Sequence, residues 1–85
     1  MDEETLIGRL VYSKAGRDKG KPYIIVKVLD EKYVLLSDGC LRTLERPKMK
    51  KLMHVNVTNV VFAGESIDNL IIEKFLQSYD KNEEV

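Results

Sequence analysis

The sequence predicts a mainly β fold, a small closed or nearly closed barrel of about five strands followed by a C-terminal helix. Two observations carry this. Short runs rich in β-branched and aromatic residues, separated by Gly, Pro and Asp-Gly turn signals, recur through the first 58 residues. From Ser66 onward the hydrophobic period changes from two to about 3.6. A chain of 85 residues is expected to form one domain with one small core, which does not suit a multi-domain enzyme. With 44% hydrophobic residues, few aromatics and no Trp, that core is expected to be aliphatic.

The elements follow in order. Residues 1–5 read as an acidic tail, and the barrel is expected over 6–58. Leu6 to Lys14 partly alternates apolar with polar residues, which suggests the first strand. Ala15-Gly16-Arg17-Asp18-Lys19-Gly20-Lys21-Pro22 is a loop whose two glycines permit turns of positive φ and whose four charges favour water. Tyr23 to Leu29 is nearly all β-branched or aromatic, as expected of a central strand buried on most of both faces. Asp30-Glu31-Lys32 is a short polar turn, so Tyr33 to Ser37 should pair back as a hairpin.

Asp38-Gly39 supplies the positive φ of another tight turn, and Leu41 to Glu45 is expected as a short fourth strand. Pairing is interrupted at Pro47 within 46–51, and Leu52 to Thr58 is expected as the fifth strand. Asn56-Val57-Thr58 matches a glycosylation acceptor but reads as part of that strand. In the connector and helix over 59–79, Val60-Val61-Phe62 either extends the last strand or lines a connector beneath the helix. Ser66 is placed as N-cap, with Asp68 in the first turn. Ile67, Leu70, Ile71, Phe75 and Leu76 form its apolar stripe, and 80–85 is an acidic tail.

A formal net charge of zero, 14 bases against 14 acids, argues against a polyanion partner when the chain is taken whole. The charge is segregated, however. Residues 1–8 carry a net −3, residues 9–54 hold 12 bases against 5 acids for +7, and residues 55–85 carry −4. This is the pattern of a polyanion-binding body between acidic ends. Two basic clusters stand out. One is the glycine loop with Arg17, Lys19 and Lys21, next to Lys14. The other is Arg42, Arg46, Lys48, Lys50 and Lys51, opposed by Glu45 alone and followed by His54. Arginines give directed planar contacts to phosphates or bases, whereas lysines act as point charges. The bland reading of the second cluster is a lysine-protected sheet edge.

Other chemistry has little to work with. The single Cys40 excludes an internal disulfide, and the absence of a basic leader or a long apolar run suggests a reducing cytosolic protein without a membrane span. One cysteine and one histidine make a poor catalytic inventory, no zinc-ligand pair is spaced correctly, and no cofactor is expected. Gly16 to Lys21 superficially matches a phosphate-binding nucleotide loop, but its glycines are too close together and Pro22 replaces the magnesium ligand. Tyr12, Tyr23 and Tyr33 are expected in the barrel wall rather than stacked on bases.

Gly8-Arg9-Leu10-Val11-Tyr12-Ser13, the loop from Ala15 to Lys21, the strand from Ile24 to Leu29, Asp38-Gly39, Pro47-Lys48, Lys50-Lys51 and His54 together resemble a KOW-domain RNA-binding protein. The likeness is to the stand-alone bacterial proteins similar to a KOW-type large-subunit ribosomal protein of archaea and eukaryotes, and it covers about residues 6 to 58. It implies an SH3-like barrel that binds RNA, structured ribosomal RNA in the ribosomal relatives, with Arg17, Lys19 and Lys21 on the KOW loop. Many KOW motifs place a further glycine near Tyr23, where this chain carries a bulky aromatic. The expectation is therefore a non-enzymatic, translation-associated RNA binder. The alternative is an SH3-like adaptor that holds a protein partner through the helix stripe or a sheet edge.

Overall fold

Alternation along the strands decides where the core lies. On β1 (Arg9–Ser13), Val11 and Ser13 point to one side and Leu10 and Tyr12 to the other. On β2 (Pro22–Val28), Tyr23 and Ile25 share the side of Val11, and Ile24 and Val26 share the side of Leu10. Both sets are apolar because both sides are covered. In the computed structural model, which describes residues 3–62 and 67–79, five antiparallel strands form one sheet in the order β4-β3-β2-β1-β5. The sheet curls around the first set, and the helix α2 (Asn69–Gln77) packs on the second. The fold is mainly β, of the small SH3-like barrel type.

The inner cluster joins Leu6, Val11, Tyr23, Ile25, Val34, Leu36 and Val55. The outer one joins Leu10 and Ile24 to Ile72 and Leu76 of α2, flanked by Phe62, Phe75 and Tyr79. The rings of Phe62 and Phe75 meet edge to face at 5.1 Å. Each fully buried aliphatic side chain contributes about 1.5–3 kcal/mol, so β2 draws stability from two faces at once. The sequence-derived centre of the fold, β2 with the hairpin to β3 (Tyr33–Ser37), is present. Asp30 Oδ1 closes that hairpin by accepting from the backbone N–H groups of Lys32 and Tyr33, both at 2.8 Å.

Four expectations are corrected. Leu6 belongs to a short helical turn, α1 (Glu3–Leu6), and Gly8, at φ 87°, turns the chain into β1. Leu41 to Glu45 is not a strand, and the fourth strand β4 (Lys48–Lys51) occupies the stretch where pairing was expected to lapse. Side-chain hydrogen bonds account for the exchange: Asp38 Oδ1 accepts from the N–H groups of Cys40 and Arg42, and Ser37 Oγ accepts from that of Gly39. These local acceptors compete with a ladder for the backbone of the loop. Leu52–His54 forms a 3-10 turn that carries the chain from β4 to the free side of β1, where β5 (Val55–Val61) pairs. Asp68, expected in the helix's first turn, is instead its N-cap, with Oδ1 accepting from Ile71 N at 2.9 Å. Ser66 and residues 80–85 lie outside the described residues.

Both readings of Val60-Val61-Phe62 hold in part: β5 extends to Val61, while Val60 and Phe62 pack beneath α2. Gly39 joins the loop to the helix. It sits at φ 76°, and a Cβ there would overlap the Asn69 carbonyl oxygen and lie 2.9 Å from Glu73 N. Gly39→Ala combines left-handed strain of about 1–2 kcal/mol with a backbone clash, and should lower stability by at least about 2 kcal/mol. The check is a fall in the urea midpoint at unchanged m-value.

Candidate nucleic-acid interface

The loop between β1 and β2 is shaped by its own backbone. Gly16 and Gly20 take φ of 87° and 88°, Gly20 N–H donates to Ser13 O at 2.8 Å, and Lys21 N–H donates to Asp18 O at 2.9 Å. These turns direct Asp18 inward and leave Lys14, Arg17 and Lys19 exposed. The Asp18 side chain is only 12% exposed. Its Oδ1 accepts from Ser13 Oγ at 2.8 Å and from Lys50 Nζ at 3.0 Å, and its Oδ2 accepts from Tyr23 OH at 2.8 Å and from Lys48 Nζ at 2.7 Å. Burial alone would raise this carboxyl, but the hydrogen bonds from Lys48, Lys50, Ser13 and Tyr23 outweigh it and hold the group well below its ordinary value of 3.8. The Tyr23 phenol is pushed well above its own ordinary value, by burial first and then by the Asp18 carboxylate.

A second pair holds the neighbouring loop. Lys21 Nζ lies 2.9 Å from Asp38 Oδ2, and the same ammonium stands 5.7 Å from the centre of the Tyr23 ring. Burial raises the Asp38 carboxyl, while Lys21 and the N–H groups of Arg42 and Cys40 lower it further, to a net value below the ordinary one. Arg42 and Arg46 are exposed on this loop. Asn69 of α2 pins it from the other side: its Oδ1 accepts from Leu44 N at 2.8 Å and its Nδ2 donates to Glu45 Oε1 at 2.9 Å.

The sequence-derived site residues thus separate into groups. Lys14, Arg17 and Lys19 are exposed at the glycine loop, and His54 adjoins them, its carbonyl accepting from Lys14 N at 2.8 Å. Lys21, Lys48 and Lys50 are engaged with Asp38 and Asp18. Lys51 is not brought to this cluster. Side chains alternate along β4, so Lys48 and Lys50 turn inward while Met49 and Lys51 face solvent, and Lys51 pairs in register with Tyr33 at the far end of the strand. The residues that sequence reasoning passed over are Asp18, Ser13, Tyr23 and Asp38. A signal for the first was present: Asp18 is the one acid in a loop whose other charged residues are all bases.

Elsewhere, Cys40 is exposed, and its hydrogen bond to Glu73, with that residue's charge, pushes the thiol up, opposite to what a nucleophile requires. Among the described residues, no helix is long and apolar enough to cross a membrane, and no three His, Cys, Asp or Glu side chains gather as metal ligands. No protein-family model matches the chain, and no curated protein is significantly similar to it.

The two depressed carboxylates set an acid limit. A group whose folded value lies below its unfolded one contributes stability in full above the unfolded value, near 3.8, and loses it as pH falls. The urea midpoint should therefore decline below about pH 4, and decline less steeply in Asp18→Asn. Equal acid sensitivity in the two proteins would show that Asp18 is not the source.

Proposed function

We propose that this chain is a non-enzymatic, cytoplasmic RNA-binding module of the KOW type, associated with ribosomes or translation and directed at structured RNA. One observation carries the reading: ion pairs at Asp18 and Asp38 gather the glycine loop, the arginine loop and the start of β4, three basic stretches separated in sequence, beside one another. The exposed cations of that surface are Lys14, Arg17, Lys19, Arg42 and Arg46, joined by Lys21 and Lys48, whose side chains are 29% and 27% exposed. Phosphates recognise such a surface by charge, and guanidinium groups add direction. The acidic segments, at both ends of the sequence, leave the positive charge concentrated in the barrel.

The adaptor reading has less support. Of the helix stripe that would hold a partner, Leu76 is buried with the neighbouring Ile72 against β1 and β2 and Phe75 packs on the same cluster, which leaves Ile67 and Leu70 as its exposed members. Ribosome co-sedimentation separates the two, since an RNA binder should be released by nuclease and a protein adaptor retained.

Neutralising the exposed loop tests the surface directly. In Arg17→Gln/Lys19→Gln, affinity for a ribosomal RNA fragment should fall, and the slope of log affinity against log salt should flatten by about 1.5, from roughly 0.7–0.9 per lost phosphate contact. An unchanged slope in the folded variant would remove this loop from the interface.

A further inference from the structure

Asp18 lies directly beneath the basic surface, paired with Lys48 and Lys50, and a negative charge so close to that surface by itself weakens phosphate binding. Its geometry points to another role. Each carboxylate oxygen accepts two hydrogen bonds, so the acceptor capacity of the group is filled and none remains for a metal or an incoming donor. Lys50 is saturated in the same way. Its ammonium donates to Ser13 Oγ at 2.7 Å, to Ala15 O at 2.9 Å and to Asp18 Oδ1 at 3.0 Å, which uses its three N–H bonds, and its side chain is 10% exposed. Lys48 differs, with one bond to Asp18 and greater exposure.

We propose that Asp18 is a positioning residue for RNA binding: with Lys50 as its anchor, it clamps the glycine loop onto β4 in the shape that presents Arg17 and Lys19. This rests on the RNA-binding reading. Gly16 and Gly20 give the loop the freedom to reach its φ values near 90°, and the same freedom would let it wander. The clamp removes that freedom before the ligand arrives, which lowers the ordering cost of binding. Lys50 accordingly belongs to the frame of the site, while Arg17 and Lys19 meet the phosphate.

The consequence has an unusual sign. Asp18→Asn keeps the shape of the side chain and makes the protein one charge more positive, so simple electrostatics favours tighter binding, whereas loss of the clamp weakens it. With a fluorescein-labelled RNA hairpin as probe, Asp18→Asn should lower affinity about tenfold. Lys50→Met should lower affinity with an unchanged salt slope, while Lys19→Gln flattens the slope by about 0.7–0.9. Lys50→Met added to Asp18→Asn should cost little more, since both remove one interaction. Amide exchange at Gly20, whose N–H donates to Ser13 O, should quicken in Asp18→Asn while that of Ile25 is unchanged.

If Asp18→Asn does not fold, Ser13→Ala, which removes one donor from the carboxylate without changing charge, should still reduce affinity severalfold. Wild-type affinity in Ser13→Ala would then overturn the role. So would Asp18→Asn that binds the hairpin as tightly as wild type or tighter. A wild-type chain with no salt-dependent affinity for the hairpin is a different failure, which overturns the RNA-binding reading and the positioning role together.

Discussion

A single carboxylate joins the parts of this molecule that its backbone alone leaves separate. Asp18 takes hydrogen bonds from Ser13 on β1, Tyr23 on β2, and Lys48 and Lys50 on β4. In the sheet order, β4 is an edge strand and β1 lies three places away, so these contacts require the sheet to curl until its edge meets the end of β1. The 3-10 turn at Leu52–His54 then has only a short gap to cross before β5 pairs with β1. A buried ion is stabilising only when its partners are all in place, and breaking such a set typically costs about 3–5 kcal/mol. The arrangement is thus close to all or none.

The same economy governs the packing. A chain this short cannot fill a barrel and also support a separate helical layer, yet β1 and β2 serve both clusters with alternate residues. Val11, Tyr23 and Ile25 fill the barrel, while Leu10 and Ile24 receive Ile72 and Leu76 of the helix. Two small cores share one wall.

What was legible in the sequence was whatever obeys a local period. The apolar run of β2, its hairpin to β3 and the helical stripe of α2 each announce themselves within a window of a few residues. The segment from Leu41 to Glu45 does not, because its path is set by acceptors on Ser37, Asp38 and the distant Asn69, which periodicity does not register. The site was legible as a charge total and illegible as a geometry. Counting placed Lys48, Lys50 and Lys51 in one group, whereas the two-residue repeat of a strand sends the first two inward and the last outward. Counting likewise entered Asp18 as a subtraction from the positive charge, although four of its neighbours are arranged around it.

Gly39 gives the helix a standing that its place at the end of the chain conceals. With no side chain between them, the backbone of the arginine loop rests directly on the backbone of α2, and Asn69 fastens the same loop at Leu44 and Glu45. The helix is in this sense a wall of the barrel's own loop rather than an appendage to it. A lineage that lost the helix would have to rebuild the loop that carries Arg42 and Arg46, and one that exchanged this glycine for any larger residue would have to move the helix. Barrel and helix are therefore coupled through this loop, and a change in one is felt in the shape of the other.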